Sequence, residues 1–138
     1  MRKITKIIVH CSATQEGANF DVQDIRRWHK QRGFKDIGYH YIITLDGDIQ
    51  IGRDIQEPGA HAKGYNKNSI GICYIGGLDK NLTPKDTRNI YQKLALKMMI
   101  SGLKTNFPDA VILGHRDLPN VKKACPCFDA KEEYKNIK

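Results

Sequence analysis

Two short apolar runs, residues 4–10 and 110–115, each close on a histidine, and they constrain the fold more than any other feature. Ile7-Ile8-Val9-His10 and Val111-Ile112-Leu113-Gly114-His115 lack the alternation of a strand with one wet face. Short runs rich in Val and Ile suit strands buried on both faces, and such strands need helices above and below them. Residues 39–45 and 48–52 flank Asp46-Gly47, a turn dipeptide that predicts a hairpin. Residues 69–75 supply a further strand ending at Gly76-Gly77.

Two helices are expected among these strands. The first takes Asp21 as N-cap, sets Val22, Ile25 and Trp28 on one face and stops at Gly33. The second takes Thr83 as N-cap and Pro84 as its first residue, with Asp86 in the first turn. It spaces Ile90, Leu94 and Met98 for one buried face and stops at Gly102. A short third helix is expected from Asp129 to about Ile137. The order β-α-β-β-β-α-β-α is that of an α/β layer structure. With 138 residues and no linker or repeat, residues 1–138 read as one domain. In open sheets of this class ligands gather beyond the carboxyl ends of strands, and His10 and His115 sit at two such ends.

Composition narrows the partners. Lys and Arg number 23 against 15 Asp and Glu, a formal charge of +8 that attracts polyanions. Nucleic acid is nevertheless not expected, because no basic and aromatic interleaving suited to base stacking is present. No stretch approaches the roughly 20 apolar residues that span a bilayer. The basic start is not followed by the apolar core of about 7–15 residues and the cleavage site of a signal peptide. The chain is therefore expected to be made in the cytoplasm without one, and to be a monomer. A core of this size needs no disulfide staples, so the four cysteines are expected to be reduced or metal-bound.

Several common chemistries are missing. There is no His-Glu-x-x-His, no Gly-x-Ser-x-Gly elbow and no Cys-x-x-Cys; Gly59 and Gly64 have phosphate-loop spacing, but Tyr65 stands where a lysine is required. A zinc site of another kind is open: three ligands with a fourth position left for water. His10, His115 and one cysteine of Cys125-Pro126-Cys127 are candidates, although spacing alone does not pair distant histidines. Pro126 biases Cys125 toward extended backbone, which projects Lys123 to the same side. There its ammonium either holds an anion or assists the thiol, unless Lys122 and Lys123 are simply a solvated pair. His29 reads as an exposed helix residue, and His40 as a strand residue facing away from Tyr39. Asp117 either orients a ligand or caps the following turn. Cys11 and Cys73 read as core.

Six segments taken in order, Val9-His10-Cys11-Ser12-Ala13-Thr14, Gly38-Tyr39-His40-Tyr41, His61-Ala62-Lys63-Gly64, Asn68-Ser69-Ile70-Gly71, Gly114-His115-Arg116-Asp117 and Lys123-Ala124-Cys125-Pro126, resemble the markers of type-two N-acetylmuramoyl-L-alanine amidases. That group includes phage lysozyme-like amidases and peptidoglycan recognition proteins. The resemblance implies a mixed central β-sheet flanked by helices, with one zinc ion in a surface groove that receives the peptide stem of peptidoglycan. His10, His115 and Cys125 match the zinc ligands, Tyr39 and Lys123 match positions that assist catalysis, and His61 matches a residue lining the groove. The implied reaction is hydrolysis of the amide joining the lactyl group of N-acetylmuramic acid to L-alanine, in a lytic enzyme that acts on the cell wall. Cys127 departs from the pattern, since a small polar residue is usual there, and it leaves two sulfurs for one metal position. Two rivals are a non-catalytic peptidoglycan-binding module, which usually lacks the cysteine ligand, and a muramidase, which needs a carboxylate pair across the groove.

Overall fold

The structure, a computed structural model, describes residues 2–138. Its main sheet has the strand order β4-β3-β5-β1-β7. These strands are β1 (Lys6–Cys11), β3 (Tyr41–Ile43), β4 (Ile49–Ile51), β5 (Ser69–Tyr74) and β7 (Val111–Gly114). All neighbours are parallel except the β3–β4 hairpin, so the sheet is mixed. β1 lies between β5 and β7, running from Lys6 opposite Ser69 to Cys11 opposite Tyr74 on one side and from Lys6 opposite Val111 to Val9 opposite Gly114 on the other. Having neighbours on both edges and layers on both faces is why its residues from Ile7 to Cys11 are all buried. A small parallel pair that the sequence pattern did not announce, β2 (Thr14–Gln15) with β6 (Gly77–Leu78), extends the exits of β1 and β5.

Alternation along β1 sorts its side chains between two layers. Ile7, Val9 and Cys11 enter a core with Leu96, Ile100 and Leu103 of α2 (Ile90–Asn106). Ile8 points the other way and packs with Leu113 and Leu118. On that second side α1 (Val22–Gln31) lays Val22 and Ile25 against Ile42, Cys73 and Ile75. Each buried isoleucine contributes about 1.5–3 kcal/mol. A one-residue slip of β1 would forfeit several of these contributions and turn His10 into the α2 core, so the apolar pattern fixes the side on which His10 emerges.

α1 forms where the pattern places it. Asp21 Oδ1 accepts from the backbone N–H groups of Gln23 and Asp24, and Asp24 returns the bond to the Asp21 N–H, closing a capping box. The helix ends before Gly33, whose φ of 95° suits a left-handed stop.

α2 corrects three expectations. It starts at Ile90, capped by Asn89 in a box with Gln92, and not at Thr83. Residues 83–89 stay non-helical because other bonds hold them: Lys85 N–H donates to Gly77 O, and Arg88 is clamped between Asp86 (2.9 Å) and Glu133 (2.8 Å) over the Phe128 ring. The helix runs through Gly102 to Asn106. Its buried side carries Gln92, Ala95, Leu96, Ile100 and Leu103, while Ile90, Leu94 and Met98 face solvent. The helix is apolar on two sides, and the four-residue repeat marks the outer one. α3 (Ala130–Glu133) is a single turn capped by Asp129, shorter than expected. Among the described residues no helix is long and apolar enough to cross a membrane.

Candidate active site

Three chain segments converge at the carboxyl ends of β1 and β7. β1 delivers His10, and β7 delivers His115 directly after Gly114, which lies opposite Val9. His115 opens a 3-10 turn that Asp117 caps by accepting the Gly114 N–H at 2.8 Å, so Asp117 serves as a turn cap. A Cβ on Gly114 would meet Pro126 Cδ at 2.7 Å; glycine is what lets the 125–126 segment close onto the strand end. Cys125 is then fixed from several directions. Its carbonyl accepts the Arg116 N–H (2.9 Å), Tyr74 donates its hydroxyl to Pro126 O (2.6 Å), and the Cys11 N–H donates to Cys125 Sγ (3.2 Å). His10 Nδ1 lies 3.9 Å from that sulfur, and the ligand atoms of His10, His115 and Cys125 all fall within 4.8 Å of one another.

The protonation states suit a metal. His10 Nε2 is 2.8 Å from His61 Nδ1, and His61 Nε2 is 3.3 Å from Ser69 Oγ. With the Nδ1 lone pair of His10 turned to the cluster, the assigned tautomers make His10 Nε2–H donate to His61 Nδ1 and His61 Nε2–H donate to Ser69. Gly71 makes room for this relay, since a Cβ there would stand 2.6 Å from the His61 ring. Burial, reinforced by His61, His115 and Lys123, holds His10 well below the usual imidazole range, and burial followed by Lys123 lowers His115. Both rings are thus neutral nitrogen donors at physiological pH. Two such nitrogens and a thiol with an N–H aimed at its sulfur form a set able to hold one divalent ion near its ordinary bond lengths of about 2.0–2.3 Å.

The cluster opens into a cavity of about 220 Å³, with Tyr39, His61 and Lys123 on its walls. The Tyr39 ring stands 5.1 Å from that of His10, and burial raises its phenol well above the ordinary value, so it is a proton-bearing donor there. None of the described residues lining the cavity is a carboxylate; Arg32 and Lys123 give it a positive rim.

One histidine differs from expectation. His29 is buried, not exposed: it occupies the face of Val22 and Ile25, and its Nδ1 accepts the Gly38 N–H at 2.8 Å, holding the segment that carries Tyr39. It also lines the cavity. His40 is buried behind the site, where its Nδ1 accepts the Gly71 N–H and its Nε2 meets Glu57 O. Cys73 is core, as is Cys11. Cys127 turns away from the histidines toward Gly77 O (3.3 Å) and Cys11 Sγ (3.9 Å), leaving Cys125 as the sulfur of the cluster.

Comparison with known proteins bears on the family and the fold. The N-acetylmuramoyl-L-alanine amidase family profile matches residues 1–128. The chain belongs to that family. It is 44% identical over 131 residues to the endolysin of Escherichia phage T7, covering 91% of this chain and 82% of the relative. It is 42% identical over 130 residues to the endolysin of Klebsiella phage KP32, covering 94% and 85%. Among solved structures, the amidase LysC from Clostridium intestinale superposes with a TM-score of 0.80 at 26% identity, covering 99% of this chain and 88% of that one. Drosophila PGRP-LB superposes at 0.79 with 27% identity, covering 99% and 82%. The mixed sheet with helices on both faces is the fold of this amidase and recognition-protein group.

Proposed function

We propose that the chain is a zinc-dependent N-acetylmuramoyl-L-alanine amidase that acts on the bacterial cell wall, cleaving the amide between the lactyl group of N-acetylmuramic acid and L-alanine. The observation that carries this reading is the convergence of His10, His115 and Cys125 at the floor of a cavity walled by Tyr39 and Lys123, in a member of this family. The phage relatives are endolysins, and a PGRP-LB variant that superposes with a TM-score of 0.78 was solved with tracheal cytotoxin. Peptidoglycan or its muropeptides are accordingly the substrate class.

His10, His115 and Cys125 would hold the zinc. Bound there, it supplies Lewis-acid polarisation and a lowered pKa for water. The remaining work falls to the protein's own groups. Lys123 presents an ammonium and Tyr39 a phenol to the negative charge that develops on the scissile carbonyl oxygen. Burial opposes ionisation of the Tyr39 phenol, so it keeps its proton and stands as a donor to that charge. His61 orients His10 through the Nε2 bond while forming part of the groove wall.

A binding module without catalysis is disfavoured by the complete ligand set. Digestion of purified peptidoglycan followed by mass analysis tests the reading. An amidase leaves stem peptides with a new L-alanine amine and glycan strands free of peptide; new reducing sugar ends, or retention without cleavage, would refute it.

A further inference from the structure

We propose that the outer face of α2 seats the protein on a bilayer containing anionic phospholipid. Ile90, Tyr91, Leu94 and Met98 are 67%, 63%, 56% and 70% exposed, and three of them stand four residues apart in one line along the helix. Ile49 of the edge strand joins this ridge across a hollow of about 340 Å³ that Tyr91, Leu94 and Met98 also line. Large apolar side chains gathered in this way mark an interaction surface.

Charge selects the occupant. α2 carries three lysines and no carboxylate; the exposed Lys93 and Lys97 border the ridge on one side, next to Leu94, and the Glu133 carboxylate that shares their hollow is already paired with Arg88. Asp46 and Asp48 lie at the opposite border, beside the hairpin turn. A second copy on this face would bring chains of +8 together. An anionic bilayer instead accepts the apolar ridge and pairs with the lysines, whose long stems let the ammonium groups stay at headgroup level.

The fold gives such docking a direction. α2 covers the sheet face that receives Ile7 and Val9, whereas His10 emerges on the opposite face, in a cavity that α1 supports with His29. A bilayer under α2 leaves the groove open on the far side, toward a wall that lies alongside the membrane. This orientation rests on the amidase reading; binding itself does not.

The test is co-sedimentation of the full chain with vesicles of phosphatidylethanolamine and phosphatidylglycerol, and with vesicles of phosphatidylcholine alone. The wild type is expected to bind the anionic vesicles preferentially. Leu94→Glu with Met98→Glu is expected to weaken binding by about tenfold or more. Lys93→Glu with Lys97→Glu is expected to weaken it and to remove most of its salt dependence. These side chains are exposed, so melting temperature and hydrolysis of lipid-free wall fragments should stay at wild-type values. Absence of binding, equal binding to phosphatidylcholine, indifference to the substitutions, or a solution dimer dissolved by Leu94→Glu would each overturn the proposal. Failure of every protein to cleave the wall would instead refute the amidase reading and leave the vesicle result standing.

Discussion

Among single residues, the proposed site divides into groups that would hold the ion and groups that would meet the substrate, and the two are separable by substitution. Lys123 lies on the cavity wall outside the three-residue cluster. Lys123→Ala is expected to keep wild-type metal content, measured by elemental analysis, while turnover falls by about 10²–10³-fold, the usual effect of losing one oxyanion donor. Loss of metal along with activity would contradict this division. The cluster and its walls were legible because six ordered motifs fall on them. His29 was not read from its neighbours Trp28 and Lys30, although Val22, Ile25 and His29 share one helical face and that spacing foretells burial. The bond between His61 and His10 joins positions far apart in the chain, and no local pattern encodes it.

At the scale of elements, β1, β5, β7 and α1 were legible because their signals agreed: buried runs for the strands, and an N-cap aspartate with an apolar face and a glycine stop for the helix. α2 carries two competing signals. Its four-residue apolar repeat is clear in sequence yet lies outside, and Thr83-Pro84 imitates a helix start that Arg88 and its two carboxylate partners prevent. The cap assignment is testable. Asn89→Ala should cost about 1 kcal/mol in denaturant unfolding, the ordinary worth of an N-cap, whereas Thr83→Ala should fall within about 0.5 kcal/mol of wild type. The reverse order would restore the longer helix.

At the scale of the whole molecule, stability and activity meet in buried imidazoles. Burial lowers His29 and His40 to about 4, against 6.5 when free. The unfolded chain therefore takes up protons that the native chain refuses, and stability falls as pH drops from about 6.5 toward about 4. The slope is at most about 1.4 kcal/mol per pH unit for each ring. Above that window these two groups contribute no pH dependence. Denaturant midpoints measured across the window in metal-free protein should decline with acid, and a flat profile would contradict the neutral buried state. The proposed hydrolysis depends on one zinc ion held by His10, His115 and Cys125. X-ray absorption of the zinc-loaded chain, with its stoichiometry, tests this most directly. The predicted result is one zinc per chain with one sulfur and two imidazole nitrogens, lost in Cys125→Ala and retained in Cys127→Ser; a sulfur-free shell, or zinc retained unchanged in Cys125→Ala, would contradict it.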